Sequence, residues 1–380
     1  MSKQQVSFFW FRRDLRLEDN VGLFHALKSK YTVIPLFIFD DAILDSLPYN
    51  DPRVGFIYEN LSKINTQLLK IESALLVKKG KTLAVWELLL TEFDIKEVFF
   101  NKDYEPYAIK RDSAICELLE TNNAIAFSFK DQVIFEEKEI TKADGLPYTV
   151  YTPFKNKWLE KYKSMAPVLE YDATDVFSNF HKCDFVFPSL EQIGFEKSPI
   201  KVKPHNLKFI ANYQDIRDFP ALDQTSYLSP HLRFGTVSIR KLVNWAFHKN
   251  DVFLSELIWR EFFMQILFSF PRVVTQNFKS AYDGIQWRNN EEDFKRWCTG
   301  TTGYPMVDAG MRQLNETGFI HNRVRMVVAS FLCKHLLIQW QWGEAYFAEK
   351  LLDYDLSANV GNWQWAAGTG CDAAPYFRVF

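Results

Sequence analysis

The chain has 380 residues, a length that predicts two domains, and 47% of them are hydrophobic, which suffices for sizeable cores. Lys and Arg total 45 against 47 Asp and Glu, and the net charge of −2 excludes binding of nucleic acid through overall charge. Any contact with DNA therefore requires a local basic patch.

Cysteine usage and hydropathy bear on the compartment. Five scattered cysteines form no CxxC pair, which argues for reduced thiols and against a structural zinc site. No apolar run reaches the ~18 residues of a membrane span, and the start MSKQQVSFFW lacks the features of a signal peptide. We expect a cytoplasmic protein without membrane contact. The aromatic share of 16% fits either an aromatic ligand or an aromatic-packed helical core.

The first 130 residues alternate between strand-like runs and helical segments. Strand-like runs lie at 6–11, 32–39, 73–79 and 97–100, with helical segments from Asn20, Asp51, Thr82 and Pro106. Asp51 followed by Pro52 predicts a helix cap and first turn. The alternation predicts an α/β domain with a doubly wound parallel sheet, although it carries no GxGxxG or Walker A motif.

Beyond this domain the pattern changes twice. Between 131 and 205 the periodicity weakens and six prolines interrupt the chain, which predicts a long surface connector. From 206 to 380 Trp, Phe and Leu recur at helical spacing. We therefore predict an α/β domain at 1–130, a connector at 131–205 and an all-α domain at 206–380.

Hydroxyl groups cluster near the start of the predicted helical domain. Thr225, Ser226 and Ser229 lie close to the start of a predicted helix, after Tyr213 and Arg217. Such a cluster forms either an ordinary helix cap or a cradle for phosphate. The residues alone leave both possibilities open.

The segment 253–263, FLSELIWREFF, combines charged and aromatic residues. On a helix, Glu256, Trp259, Arg260 and Phe263 share one face. A carboxylate, an indole and a guanidinium on one stripe are costly to bury unless they meet a ligand. The alternative is a solvent-exposed, salt-bridged face.

The C-terminal stretch reads LLDYDLSANVGNWQWAAGTGCDAAPYFRVF. It brings Asp353, Asp355 and Asn359 close in sequence to Trp363 and Trp365. Carboxylates accept hydrogen bonds from ribose or ring N–H groups, and indoles offer flat apolar surface to an aromatic ligand. The alternative is a Gly-rich loop beside two core tryptophans.

This stretch, as DxD…N…WQW…DAAPYFR, resembles the photolyase/cryptochrome family in its class I cyclobutane-pyrimidine-dimer photolyase branch. VSFFWFRRDLRLEDN, TSYLSPHL and ELIWREFF repeat the resemblance, which spans nearly the whole chain. It implies an α/β domain joined to a helical domain that binds FAD non-covalently. It also implies light-driven repair of DNA, in which excited reduced FAD donates an electron to a pyrimidine dimer flipped from the duplex.

The resemblance assigns roles to individual residues. It implies a flavin site of Tyr213, Thr225, Ser226, Leu228, Ser229, Glu256, Arg260, Asn322, Arg325, Asp353, Asp355 and Asn359. The dimer pocket would comprise Glu256, Trp259, Asn322, Met326 and Trp365, with Asn359 facing flavin N5 and Arg325 paired with Asp353. Electrons would reach the flavin through Trp287, Trp340 and Trp363. DNA would be contacted by Arg217, Trp259, Asn322, Arg323 and Arg378.

Several positions refine this expectation. Met326 and Trp365 argue against the (6-4) photolyases and the DASH cryptochromes, which carry His and Tyr there. Phe253 stands where the branch can carry Trp. Tyr107 and Ala108 stand where folate-using relatives carry Asn-Glu, which disfavours methenyltetrahydrofolate and leaves a deazaflavin or another group as antenna. Relatives continue past the position of Phe380, so a shorter C-terminal tail is expected.

Two alternatives to repair stay open at this point. One is a cryptochrome-type blue-light photoreceptor that signals without repairing DNA, and the other is a flavin-free nucleotide-binding scaffold, which would be colourless when purified. The preferred partner is damaged DNA containing pyrimidine dimers. The protein is expected to be a monomer.

Overall fold

The computed structural model describes residues 3–373, which fall into two compact units. The first unit contains the chain up to Ile134, Val168–Val202 and Phe234–Leu242, and the second contains Phe135–Pro167, Lys203–Arg233 and the chain from Val243. Each unit is built around its own buried apolar residues.

Among the described residues the five strands all lie in the first unit, and every helix after residue 250 lies in the second. The strands are β1 Gln5–Phe11, β2 Thr32–Asp40, β3 Leu76–Gly80, β4 Asp94–Asn101 and β5 Ile125–Phe129. The helices up to β5 are α1 Val21–Leu27, α2 Asp41–Leu44, α3 Pro52–Leu69, α4 Thr82–Glu92 and α5 Pro106–Thr121. They are followed by α6 Tyr151–Met165, α7 Tyr213–Ile216, α8 Leu228–Arg233, α9 Ile239–Phe247, α10 Asp251–Ser269, α11 Glu291–Thr299, α12 Pro305–Thr317, α13 Asn322–Ser330, α14 Trp340–Lys350 and α15 Leu356–Ala367.

The sheet of the first unit is parallel throughout, in the order β3-β2-β1-β4-β5. β1 is central, and its alternating side chains supply two cores: Phe9 and Phe11 pack on one side, and Phe8 and Trp10 on the other. A central parallel strand is covered on both faces, so an uninterrupted apolar run is what its position requires. The predicted doubly wound α/β domain is confirmed.

The strand order reverses between β1 and β4, where the charged sequence after β1 meets the end of β4. The Asn101 side chain donates to Asp14 Oδ2 at 2.6 Å and to Asn20 Oδ1 at 2.8 Å. All three side chains are buried, and burial raises the pKa of Asp14 above its ordinary value. In an open α/β sheet, the point where the order reverses leaves a crevice at the carboxyl ends of the strands. Part of this crevice is filled by the protein's own polar groups.

The second unit is helical, and small residues allow its helices to approach closely. Gly343 on α14 lies against the ring of Trp363 on α15, and Gly361 on α15 lies against the ring of Phe263 on α10. A Cβ at either glycine would overlap the neighbouring ring. These contacts fix α15 between two helices, and α15 carries the carboxylates and tryptophans of the predicted site.

The segment predicted as a connector contains a packed helix that the sequence prediction lacks. α6 buries Tyr151, Phe154, Trp158 and Tyr162, and the Trp158 indole N–H donates to the buried carboxylate of Glu261 at 2.7 Å. Residues 135–167 belong to the helical unit, and residues 168–202 to the first unit. Three of the six prolines, Pro147, Pro153 and Pro167, lie before α6, in its first turn and after its end, where they do not interrupt its hydrogen bonds, and the other three follow it along the chain.

Candidate functional site

The helical unit contains a cavity of about 1590 Å³, part of which is open to solvent. Most of the residues predicted from the sequence line it: Tyr213, Arg217, Ser226, Leu228, Ser229, Glu256, Trp259, Arg260, Asn322, Arg323, Arg325, Met326, Asp353, Asp355 and Trp365. Segments far apart in the chain therefore meet around one space. Arg378 lies outside the described residues.

Some lining residues are absent from the sequence prediction, although helical spacing could have revealed them. Arg233 stands four residues after Ser229 on α8, and Ala358 and Asn362 follow Asp355 at intervals of three and seven along α15. Residues at such intervals share a helix face. Leu232 and Leu257 add apolar surface to the wall.

The hydroxyl cluster forms the wall of an adjoining cavity of about 830 Å³, shared with Arg217, Arg325 and Asp353. Thr225 Oγ1 is buried and has no hydrogen-bond partner among the described residues. Tyr227, two residues later, has φ of +51°, which is rare for a non-glycine residue. A buried hydroxyl without a partner is costly, so the Thr225 hydroxyl is available to hydrogen-bond a ligand.

The two aspartates of the C-terminal stretch are held by protein groups. Arg325 Nη2 lies 2.8 Å from Asp353 Oδ2, as predicted, and Arg325 also donates to the Ile320 carbonyl at 2.9 Å. Asp355 caps α15 by accepting from Ala358 N at 3.2 Å, and Arg233 lies 3.5 Å from its other oxygen. A carboxylate has about four acceptor positions, so both can also bind a ligand hydroxyl or N–H.

The stripe on α10 forms another wall of the main cavity. Glu256, Trp259, Arg260 and Phe263 all line it, as their spacing predicted. Arg217 Nη1 lies 2.8 Å from Glu256 Oε1. Burial raises the pKa of Glu256 above its ordinary value, and this effect outweighs the lowering by Arg217. The site thus contains a carboxyl group able to hold a proton.

Trp259 is held in place by the ring of Tyr151, a contact that was not predicted from the sequence. Tyr151 of α6 stacks on Trp259 with ring centroids 3.6 Å apart and planes 8° from parallel. The Tyr151 hydroxyl donates to the Ser255 carbonyl at 2.7 Å, one turn before Trp259 on α10. The indole is therefore fixed from one side, and it is a rigid wall of the cavity.

Helix α13 contributes an amide, a thioether and a cation. Asn322 and Met326 lie one turn apart and line the same cavity. Arg323 Nε donates to Asp218 Oδ1 at 2.8 Å, and its Nη1 lies 3.2 Å from Met326 Sδ. Arg217 and Arg323, two of the three arginines predicted to contact DNA, are thus held by carboxylates.

A smaller cavity of about 590 Å³ shares Asn322, Asp353, Asp355 and other walls with the main one, and Asn359 and Trp363 line it. Trp363 packs edge-on against Phe347 with ring centroids 5.0 Å apart. Asn359 donates from Nδ2 to both the carbonyl and the carboxylate of Glu344. The amide and the indole therefore face the same space.

The other predicted electron carriers belong to the same apolar cluster as Trp363. Trp340 is fully buried and donates from its indole to Asn277 at 2.8 Å, and Trp287 packs against the cluster from a partly buried position. Arg288 N donates to the Leu337 carbonyl at 2.8 Å, which ties the Trp287 segment to the chain just before α14. The three indoles thus range from a cavity wall to a partly exposed position.

Taken together, these groups fit FAD. The diphosphate of FAD requires hydrogen-bond donors such as the buried, unpartnered Thr225 hydroxyl. Its ribityl and ribose hydroxyls require acceptors such as Asp353 and Asp355. Its ring requires flat apolar surfaces and amide groups. In the described residues no three His, Cys, Asp or Glu side chains are grouped to hold a metal ion. Nor does the part of the chain from 3 to 373 contain a helix long and apolar enough to cross a membrane.

A parallel α/β domain combined with a helical unit that holds such a cavity defines a flavin-dinucleotide-binding protein of two domains. Comparison with known sequences identifies the family. Residues 7–173 match the family described as DNA photolyase, and residues 253–380 match the family described as the FAD binding domain of DNA photolyase.

Curated relatives of known name support the same family. The deoxyribodipyrimidine photo-lyase of Halobacterium salinarum is 37% identical over 99% of this chain and 85% of its own length. The enzyme of that name from Agrobacterium fabrum is 35% identical over 98% and 82%. The chain belongs to the photolyase/cryptochrome family, with a DNA photolyase domain and a helical FAD-binding domain.

Two solved structures match nearly the whole chain. The archaeal photolyase from Sulfolobus tokodaii, solved with two FAD molecules, is 36% identical with a TM-score of 0.80 over 99% of this chain and 85% of that one. A bacterial class III photolyase from Agrobacterium tumefaciens is 33% identical with a TM-score of 0.82 over 100% and 83%. The predicted family and fold are confirmed, and the assignment to class I stays a prediction.

Proposed function

We propose that this chain is a light-driven deoxyribodipyrimidine photo-lyase of class I, which splits cyclobutane pyrimidine dimers in DNA. One observation carries the proposal: an aromatic and amide-lined cavity adjoins a hydroxyl and aspartate cradle in the same unit. The first space suits a flipped pyrimidine dimer, and the second suits a dinucleotide cofactor. The names of the curated relatives support the same activity.

In this proposal the cradle binds FAD. Thr225, Ser226 and Ser229 hydrogen-bond the diphosphate, and Asp353 and Asp355 accept from hydroxyl or ring N–H groups. Tyr213, Leu228, Arg260, Asn322, Arg325 and Asn359 complete the flavin site. The chemistry supplied by bound reduced FAD is the light-driven transfer of one electron to the dimer and its later return.

The chain's own contribution is to hold the dimer and exclude water. Trp259 and Trp365 give flat surfaces to the two bases, and base–aromatic stacking contributes ~1–3 kcal/mol per base. Burial raises the pKa of Glu256, and in its protonated form Glu256 would donate a hydrogen bond to a pyrimidine carbonyl and so favour the electron-bearing form. Asn322 and Met326 close the pocket. No protein nucleophile is required.

Three tryptophans would recharge the cofactor. Trp363 lines the smaller cavity, Trp340 is buried behind it, and Trp287 lies partly buried in the same cluster. This arrangement supports a path for electrons from the protein surface to the ring. Light-driven reduction would use it, whereas dimer splitting by an already reduced cofactor would not.

Partners and antenna follow from the same residues. The phosphates that flank the dimer would be bound by Arg217 and Arg323 and, from the sequence, by Arg378. Tyr107 and Ala108 stand where folate-using members carry an Asn-Glu pair, so a deazaflavin or another group is proposed as antenna in place of a folate. All five cysteines are free, which supports a cytoplasmic protein. We further propose that it acts as a monomer.

The decisive experiment illuminates the reduced protein with duplexes carrying a cyclobutane dimer, a (6-4) product or no lesion. Splitting of the first alone is expected. Trp259→Ala should keep FAD but lose the preference for dimer-containing DNA. Repair of the (6-4) product instead would contradict the assignment of the cyclobutane dimer as substrate. Repair of neither lesion would favour a photoreceptor.

A further inference from the structure

The ring of Tyr151 packs on one face of the Trp259 indole, which lines the main cavity. Tyr151 is the first residue of α6, it is buried, and its ring lies nearly parallel to the indole with centroids 3.6 Å apart. An aromatic ring has two faces, so Trp259 has only one left for stacking on a base. Because Tyr151 is itself buried, it restricts rotation of the indole away from the cavity.

The Tyr151 hydroxyl contacts α10 a second time. It donates to the Ser255 carbonyl at 2.7 Å, and its oxygen lies 2.6 Å from the Ser255 hydroxyl. Ser255 stands four residues before Trp259, which is about one helical turn. The ring and the hydroxyl of Tyr151 therefore contact adjacent turns of α10, and the two contacts together set the place of the ring on the indole.

The start of α6 is tied to the C-terminal stretch by Asp372. Asp372 Oδ2 accepts from the Tyr151 backbone N–H at 3.2 Å, and the Asp372 N–H donates to the Thr149 carbonyl at 3.0 Å. Lys279 Nζ donates to the Asp372 carbonyl at 2.9 Å. Asp372 has φ of +66°, which is uncommon for a residue other than glycine and persists where several contacts determine the backbone. These contacts hold the first turn of α6, where Tyr151 lies.

We propose that Tyr151 is a positioning residue for dimer recognition, which acts through Trp259, and that Asp372 holds Tyr151 in place. This inference rests on the proposed function, because it requires Trp259 to stack on a base of the lesion. Without the Tyr151 ring, the indole would have to be ordered at the moment of binding. Ordering one free side chain lowers an affinity about two- to tenfold. Binding of undamaged DNA rests on phosphate contacts and carries no such penalty.

The test measures dissociation constants for duplexes with and without a dimer, in the dark, with the full-length holoprotein. Tyr151→Leu removes the ring and should lower the preference for the dimer by that factor, with FAD content and affinity for undamaged DNA unchanged. Tyr151→Phe keeps the stack and should restore the preference. Tyr162→Leu is the matched control, because Tyr162 is a buried tyrosine of α6 that stacks on Trp158 instead, and it should keep the wild-type preference.

A second measurement requires no DNA. In protein labelled with 15N-tryptophan, the Trp259 indole resonance is identified by its loss in Trp259→Phe. A stacked ring shifts the resonances of its neighbour, so this resonance should move in Tyr151→Leu and stay near its wild-type position in Tyr151→Phe. Asp372→Gly removes the carboxylate, and glycine adopts a φ of +66° without strain. It should move the same resonance, because the first turn of α6 is released.

The outcomes separate this inference from the proposed function. A dimer preference kept by Tyr151→Leu would overturn the role of Tyr151, and so would an unmoved Trp259 resonance in that variant. An unmoved resonance in Asp372→Gly would overturn the role of Asp372. Wild-type protein without a preference for dimer-containing DNA would contradict the proposed function instead.

Discussion

The buried hydroxyl of Thr225 is the most local indication of a ligand in the helical unit. Thr225→Val removes the oxygen at nearly constant volume. Without FAD, we expect the variant to be as stable as the wild type or more so, because the unpartnered oxygen is gone. FAD affinity should fall by ~1.5–3 kcal/mol, the contribution of one hydrogen bond to a charged group such as the diphosphate.

Urea unfolding of the flavin-free proteins and FAD titration of the same samples measure the two effects separately. Thr225→Ser is the matched control, because it keeps the hydroxyl and should bind FAD almost as well as the wild type. If Val and Ser lower the affinity equally, the methyl group matters and the hydroxyl does not.

Glu256 predicts a pH-dependent stability. Its pKa is raised in the folded chain, so the folded state binds the proton more tightly than the unfolded state. The stabilising effect is present below the ordinary glutamate pKa and is lost as pH rises through the folded value. In Glu256→Gln this loss should be absent.

The measurement is the free energy of unfolding of wild type and Glu256→Gln across that pH window. Their difference should change as pH rises, whereas Glu292→Gln, an exposed partner of Arg296, should run parallel to the wild type. Parallel curves for wild type and Glu256→Gln would show that Glu256 does not titrate with a raised pKa.

At the scale of elements, the close approach of α14 and α15 at Gly343 predicts a defect in photoreduction. Gly343→Ala places a methyl group in the space of the Trp363 ring and should displace it, at a cost of about 1–3 kcal/mol in stability. Light-driven reduction of FAD should slow, as it should in Trp363→Phe. Repair by chemically reduced protein should persist.

Absorbance of the flavin during illumination follows the reduction, and a dimer-splitting assay follows the repair. Gly284→Ala is the control, because its new Cβ meets no atom within 4 Å. If Gly343→Ala reduces its flavin at the wild-type rate, the position of Trp363 does not limit electron transfer.

Elements with a local pattern were predictable from the sequence. The strands beside β1 follow from short apolar runs that alternate with helical segments. The stripe of Glu256, Trp259 and Arg260 follows from helix geometry, because residues three or four positions apart lie on the same face of a helix. The pairing of Arg325 with Asp353 came from the family resemblance and not from spacing. α6 was hidden because prolines stand at its borders and weaken the periodic signal.

Contacts between distant elements were not predictable. Tyr151 reaches Trp259 only because α6 packs on α10, and Glu344 reaches Asn359 only because α14 packs on α15. Such pairs depend on the register of one helix against another, which a single sequence does not encode in its spacing. The pairing of Arg217 with Glu256 and that of Arg323 with Asp218 were not predicted, for the same reason.

For the whole molecule, a net charge of −2 means that DNA binding depends on a few cations. Arg323 is held by Asp218 on the exposed rim, and such a pair is worth only ~0–1 kcal/mol, so a phosphate can displace it. Arg323→Gln should weaken binding to all duplexes and lower the slope of log affinity against log salt by about one.

Affinities measured at several salt concentrations, with and without a dimer, test this. Arg296→Gln removes an exposed arginine that pairs with Glu292 and lines none of the cavities described above, so it should leave the slope unchanged. Asp218→Asn should strengthen binding by freeing Arg323. Equal slopes for wild type and Arg323→Gln would remove Arg323 from the DNA surface.

The cradle at Thr225–Ser229 and the carboxylates of Asp353 and Asp355 come from opposite ends of the helical unit's sequence, yet they face adjoining cavities with shared walls. A ligand that touches both binds the folded chain and has no site on the unfolded one. By mass action it adds about 4 kcal/mol of stability when present at a thousand times its dissociation constant. That is a large part of the stability of an ordinary domain, so the chain's resistance to unfolding and proteolysis follows the supply of flavin. A cell short of flavin would therefore lose the protein itself, and not only its activity.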